Sequence, residues 1–120
     1  MSLEKIKTAL TTEINPKIDN SEKQKLAAVL IIIYDDPPKI LMTKKPITMT
    51  QHGGEIAFPG GKLIDSDYNL LETALRETEE ETGLNISKNN VIGQLKQVTT
   101  LNSGFTILPF ICILDRISNL

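Results

Sequence analysis

A second cysteine, a long apolar run and an excess of positive charge are all missing from this 120-residue chain, and each absence removes a class of protein. With Cys112 as the only cysteine, an intrachain disulfide is impossible and a reducing compartment is the default expectation. Cys112 itself lies in an apolar run and reads as a small buried residue. No apolar stretch approaches the roughly 20 residues that a membrane-spanning helix needs, and the N-terminus carries Glu4 where a signal peptide would place its apolar core. The expected setting is soluble and cytoplasmic, with no membrane partner. A formal net charge of −2 argues against general nucleic-acid binding driven by phosphate neutralisation. Internal repeats and low-complexity segments are missing too.

What is there suffices for one domain. At 40% hydrophobic and 23% charged residues, the chain can bury a single core and is too short for two ordinary ones. Its charge is unevenly placed. From Gly61 to Leu84, Asp65, Asp67, Glu72, Glu77, Glu79, Glu80 and Glu81 stand against Lys62 and Arg76, a local charge of −5, so the remainder carries +3. An acidic centre in a mildly basic frame suits a metal ion and an anionic ligand held together.

Leu3, Ile6 and Leu10 fall at helical spacing and predict a short amphipathic helix, interrupted by Thr11, Thr12, Asn15 and Pro16. Residues 1–25 read as this helix and a loose polar lead-in, and 26–120 as the domain proper. Leu26–Tyr34 is a continuous apolar, β-branched run that predicts a buried strand, turned at Asp35-Asp36-Pro37-Pro38, with Lys39–Thr43 as its hairpin partner. The polar loop from Lys44 to His52 has no periodicity, and such loops commonly carry binding residues. Glu55–Phe58 predicts a short strand stopped by Pro59-Gly60-Gly61, a glycine turn leading towards a helix. That helix is expected to take Asp67 as its N-cap, to bury Leu71, Ala74, Leu75 and Thr78, and to end at Gly83. Val91–Thr100 and Phe105–Leu114 predict two more strands around a turn at Asn102-Ser103-Gly104. This order implies a mixed sheet with a helix packed on it. With only one substantial helix, one face of the sheet is expected to be poorly covered and the domain incomplete at its C-terminus.

Glu77, Glu79, Glu80 and Glu81 crowd the C-terminal half of the predicted helix. Such a run can be a plain solvated face. Two costs argue for more: the macrodipole disfavours each acid there by roughly 0.3–1 kcal/mol, and Glu77 lies at repulsive spacing from both Glu80 and Glu81. Hard oxygen ligands of this kind suit Mg²⁺ or Mn²⁺, and Mg²⁺ typically combines one or two carboxylates with substrate phosphates. The implied ligand carries phosphate.

Gly61, Asp67 and Arg76-Glu77-Thr78-Glu79-Glu80-Glu81-Thr82-Gly83-Leu84 resemble the Nudix box, the loop–helix–loop signature of hydrolases that cleave the pyrophosphate of a nucleoside diphosphate linked to another group. Two positions differ from the usual form. The acid before the helix is Asp67 rather than glutamate, with one residue more than usual before Arg76, and Thr78 replaces an aliphatic residue. The extension and the aspartate are similar to the coenzyme A pyrophosphatase branch. Leu41-Met42-Thr43-Lys44-Lys45, His52-Gly53-Gly54-Glu55-Ile56-Ala57-Phe58-Pro59-Gly60-Gly61 and Thr73-Ala74-Leu75-Arg76-Glu77 also resemble that branch, as do Ser103-Gly104-Phe105 and Leu108-Pro109-Phe110. The resemblance covers roughly residues 26–114, most of the chain.

The resemblance implies an α/β fold, a Nudix-like α/β/α sandwich with a mixed β-sheet. It also implies a metal-dependent pyrophosphatase for coenzyme A or its derivatives, yielding 4′-phosphopantetheine and adenosine 3′,5′-bisphosphate. By the same resemblance, Glu77, Glu80 and Glu81 would bind Mg²⁺ or Mn²⁺ with the Gly61 carbonyl, and Arg76 would hold Glu77 through a charge-assisted contact. Glu77 would take the proton of the attacking water, unless the base lies on a later loop. His52, Lys44, Lys45 and Gly60 would meet the small-molecule nucleotide substrate. His52 has a plainer alternative as a structural or exposed histidine, and Lys44 and Lys45 as solvated strand-end lysines. Rival substrates within the family are ADP-ribose and nucleoside triphosphates. A rival of another class is a catalytically silent fragment acting as a binding module, pairing into a homodimer through an open apolar face or completed by a second polypeptide.

Overall fold

The structure, a computed structural model, describes residues 2–17, 25–44, 56–100 and 104–115. Its elements in chain order are α1 (Leu3–Leu10), β1 (Leu26–Tyr34), β2 (Lys39–Ile40), β3 (Thr43–Lys44), β4 (Ile56–Ala57), β5 (Gly60–Lys62), α2 (Leu70–Thr82), a 3-10 turn (Lys88–Asn90), β6 (Val91–Gln94), β7 (Val98–Thr99) and β8 (Thr106–Leu114). β1 and β8 pair in parallel from Leu26 beside Thr106 to Tyr34 beside Leu114. β2 and β5 both pair antiparallel with the other edge of β1, β5 at its beginning and β2 at its end. β6 and β7 pair antiparallel with the outer edge of β8, and β3 and β4 form a small separate ribbon. The sheet is mixed, and the arrangement is the expected α/β one.

The two long strands are apolar at nearly every position because both of their faces meet protein. Ala28, Leu30, Ile32, Leu108, Phe110 and Cys112 face one side and form the core with Leu70, Leu71 and Ala74 of α2. Phe110, Leu30 and Ile32 are fully buried, each contributing on the order of 1.5–3 kcal/mol of apolar transfer. Burial also pushes the Cys112 thiol up to about 12. On the opposite face, Gly93 pairs with Ile111, and a Cβ there would lie 2.6 Å from both the Leu10 carbonyl oxygen and Thr12 Oγ1. The end of α1 therefore sits over Gly93. Thr12 N donates to the Ile92 carbonyl (3.1 Å), and Asn15 and Gln94 exchange bonds of 2.7 and 3.1 Å, which docks residues 12–15 along β6. Val29, Ile31, Ile107 and Ile113 on this second face remain only partly buried, so it is less completely covered than the α2 face.

α1 and β1 span the predicted residues, and Gly83 ends α2 in the left-handed region (φ 79°). Other boundaries differ for physical reasons. Lys39–Thr43 is not one strand: the chain leaves β1 after Leu41, whose N–H donates to the Ile32 carbonyl (3.0 Å), and then pairs with β4 instead. Val91–Thr100 divides into β6 and β7 opposite Pro109, whose carbonyl accepts from Leu95 N (2.9 Å) but which has no N–H to return. Gly60-Gly61 is not a turn but part of β5. A Cβ on Gly60 would lie 2.3 Å from the Ala28 carbonyl oxygen, so only glycine lets β5 lie this close to β1. The N-cap of α2 is Asn69 rather than Asp67: its Oδ1 accepts from Glu72 N (2.9 Å), while Asp67 turns inward to stronger, charged donors. The buried stripe includes Leu70 and Thr73 in addition to Leu71, Ala74 and Thr78, and Leu75 is only partly buried. Of the turn expected at Asn102-Ser103-Gly104, only Gly104 (φ 71°) falls within the described residues. Among the described residues, no helix is long and apolar enough to cross a membrane.

Candidate active site

α2 offers one cation, Arg76, among its acids, and the local structure is built around that guanidinium. Its Nε donates to Asp67 Oδ1 (2.8 Å) and its Nη2 to Asp67 Oδ2 (3.0 Å), a two-pronged contact whose planar geometry only arginine supplies. Nη2 also reaches the Lys62 carbonyl (3.1 Å), tying α2 to β5. Nη1 donates to Glu77 Oε1 (2.9 Å) and lies 3.3 Å from each Glu80 carboxylate oxygen. One side chain thus holds three carboxylates and a strand carbonyl.

Asp67 is the buried anchor of this network, with its side chain 2% exposed. Besides Arg76, it accepts from Thr73 Oγ1 (2.8 Å) and Ile64 N (3.1 Å). The hydrogen bonds from Arg76 hold its carboxyl below the usual carboxylate range, with burial working against them. The same bond raises the already high pKa of the guanidinium. Both groups therefore stay ionised.

Glu77 lies against β5 because Gly61 has no side chain. A Cβ at Gly61 would fall 2.5 Å from Glu77 Cδ and 2.7 Å from each of its oxygens. Glu81 is exposed at the end of α2, where Thr43 Oγ1 approaches Glu81 Oε2 at 3.5 Å while donating to the Ala57 carbonyl at 3.1 Å. The β3–β4 ribbon thus flanks the acidic end of the helix. Lys44 is exposed on that ribbon. Gly60 is buried against β1. Lys45 and His52 lie outside the described residues.

Among the described residues, no three His, Cys, Asp or Glu side chains gather into a ready metal cage. Arg76 stands between Asp67, Glu77 and Glu80. What remains is an open set of hard oxygens, with a glycine-lined cradle that a Cβ would fill. That donor set fits a hard divalent cation using few carboxylates and keeping positions for water and phosphate. The sequence expectation included neither Thr73 nor the Lys62 carbonyl, which join the network through Asp67 and Arg76, and Asp67 is not the cap that its position predicts. The available signals were the isolation of Arg76 as the helix's one cation and the placement of Thr73 three residues before it, on the same side.

A model of the NUDIX domain matches residues 24–110. The chain belongs to the Nudix family. Among its relatives, a protein from Yersinia enterocolitica described as uncharacterized Nudix hydrolase NudL is 44% identical over 86 residues, which is 71% of this chain and 44% of the relative. One of the same description from Cronobacter sakazakii is 37% identical over 103 residues, 84% of this chain and 53% of the relative. The chain spans about half the length of these relatives. Solved structures show the Nudix fold in common. A MutT/nudix family protein from Enterococcus faecalis superposes with TM-score 0.66 at 22% identity, over 95% of this chain and 44% of that one. The Nudix domain of Shewanella oneidensis NrtR, solved with ADP ribose, gives 0.65 at 19%, over 98% and 74%.

Proposed function

We propose that this Nudix chain supplies the catalytic centre of a metal-dependent pyrophosphatase, and that its substrate is coenzyme A or a coenzyme A derivative. The observation that carries the reaction class is the Arg76 network, which fixes Glu77 in the Gly61 cradle with Glu80 beside it. The substrate rests on the extended spacing between Asp67 and Arg76 and on the upstream run through Thr43, which approaches Glu81.

Glu77, Glu80, Glu81 and the Gly61 carbonyl would hold Mg²⁺ or Mn²⁺. Such an ion, when bound, neutralises pyrophosphate charge and acidifies a coordinated water. The chain's own residues do the rest. Arg76 orients Glu77 by donating to one of its oxygens, and Asp67, itself fixed by Thr73 and the Ile64 amide, orients Arg76. Glu77 takes the proton from water as the water oxygen bonds to one phosphorus. The bridging P–O bond breaks, and its electron pair leaves with the other phosphate. From coenzyme A the products are 4′-phosphopantetheine and adenosine 3′,5′-bisphosphate.

The test is a substrate panel with Mg²⁺ or Mn²⁺ and with chelator. Metal-dependent release of adenosine 3′,5′-bisphosphate from coenzyme A, faster than turnover of ADP-ribose or nucleoside triphosphates, is expected. Preference for ADP-ribose, the ligand in the NrtR structure, overturns the substrate. Inactivity towards the whole panel by a cooperatively folded monomer points instead to a silent binding module.

A further inference from the structure

β6 is an end strand of the sheet, and an end strand offers its outward N–H and C=O groups to other chains. Leu95 N donates to Pro109 of β8, so by alternation the backbone groups of Ile92 and Gln94 point away from the sheet. Thr12 takes up both. Its N–H donates to the Ile92 carbonyl (3.1 Å), and its Oγ1 accepts from Gln94 N (2.9 Å). Three residues on, the Gln94 side-chain amide bonds the Asn15 backbone in both directions: it accepts from Asn15 N at Oε1 (2.7 Å) and donates from Nε2 to the Asn15 carbonyl (3.1 Å). A hydroxyl and an amide side chain thus stand in for two rungs of a β ladder. The segment also wraps the edge. The Leu10 carbonyl and Thr12 lie over Gly93 on one face of the sheet, and Ile14 packs against the core on the other, α2 face.

We propose that residues 12–15 are a clasp that keeps the β6 edge from pairing with the β6 edge of a second copy of this chain. The released edge is complementary to itself. With the two strands antiparallel about a two-fold axis at Gly93, each Ile92 carbonyl meets the Gln94 N–H of the other copy. Beyond Gly93 the same edge runs on past Leu95 and Val98, which are 44% and 54% exposed, apolar surface that such a pairing covers. Clasp and second copy use the same two backbone groups, so they exclude each other. The bonds of the clasp lie at the surface, where water competes for them, and they open more readily than the core. None of these residues belongs to the Arg76 network, so the proposal stands apart from the reaction and its substrate.

The experiment combines hydrogen exchange with sedimentation of the full chain over a range of concentrations. Thr12→Val with Gln94→Met opens the clasp while nearly keeping side-chain size. The Gln94 and Asn15 amides should then exchange at least about tenfold faster, while the Leu30 amide, bonded to the Pro59 carbonyl, stays protected and marks a folded sheet. Self-association should set in at a concentration at least about tenfold lower than in the native chain. Gly93→Ala reaches the same state by another route: its Cβ would lie 2.6 Å from the Leu10 carbonyl oxygen and Thr12 Oγ1, displacing the clasp without removing any of its hydrogen-bonding groups. If the double variant loses Leu30 protection, Gly93→Ala decides. Thr12→Val with Gln94→Pro also opens the clasp but removes the N–H that pairing needs, and should associate no more than the native chain. Native-like exchange at Gln94 in the folded opened protein, association no greater than native, or equal association by the proline variant overturns the proposal.

Discussion

Replacing Asp67 by asparagine keeps the side chain's shape and removes its charge at the most buried point of the Arg76 network. Four donors converge on the native carboxylate: Arg76 Nε on Oδ1, and Arg76 Nη2, Thr73 Oγ1 and Ile64 N on Oδ2. An asparagine oxygen in the Oδ2 place keeps three of them but sets an NH₂ group against Arg76 Nε, donor to donor. One charge-assisted bond is lost, about 1.5–3 kcal/mol, and a partly buried cation loses its counter-charge. The total is about 3 kcal/mol, near the lower end of the cost of breaking a buried pair. In urea at pH 7 this lowers the midpoint by about 2 M if m is about 1.5 kcal/mol/M. The pH dependence has a definite sign. Arg76 lowers the carboxyl's pKa in the folded state, so its stabilisation is fully present above the unfolded value of about 3.9 and is lost as pH falls through the lowered value. The gap between native and Asp67→Asn proteins should therefore be constant from about pH 5 to 8 and narrow below about pH 4. A loss under about 0.5 kcal/mol at pH 7, or a gap unchanged down to pH 3, refutes the reasoning.

Adjacent glycines should fail in opposite ways. In Gly61→Ala the nearest atoms to the new Cβ all belong to the movable end of Glu77, so stability from thermal melts should change by less than about 1 kcal/mol while kcat falls about tenfold or more. In Gly60→Ala the Cβ meets the Ala28 carbonyl oxygen and Val29 Cα, so β1 and β5 must separate, and a loss of about 2–4 kcal/mol is expected. Asn69→Ala should cost about 1 kcal/mol through loss of the α2 cap, with Asp67→Ala costing more, an order that calorimetry or urea melts can check. Phe110→Ala, at a fully buried position, should cost about 3–5 kcal/mol.

Those consequences trace back to which interactions the sequence makes visible. β1 and α1 are legible because their patterns are local: a nine-residue apolar run and three apolar residues at helical spacing. The acidic run was legible as chemistry because it opposed the macrodipole, and its spacing carried the Nudix resemblance. The hidden features are pairwise across distance. Nothing local to Asp67 says that a guanidinium nine positions on will outbid the free amides of a helix start, which Asn69 then caps. Pro109 decides where β6 and β7 part, yet the break shows only once Leu95 is placed opposite it. Gly60 and Gly61 carry turn chemistry in the sequence, but they serve as a strand: at Gly60 the close approach to β1 excludes a side chain, and at Gly61 a side chain would displace the Glu77 carboxylate.

The carboxylates of α2 beside Gly61 are proposed to do the chemistry. The most direct measurement is the Mg²⁺- or Mn²⁺-dependent kcat for coenzyme A hydrolysis in Glu77→Gln, Glu80→Gln and Glu81→Gln, each with its melting curve. Losses of about 10²-fold or more are expected in proteins that still unfold cooperatively near the native midpoint. Turnover at the full native rate by any one of the three contradicts the role assigned to that carboxylate, and full-rate turnover by all three places the reaction elsewhere.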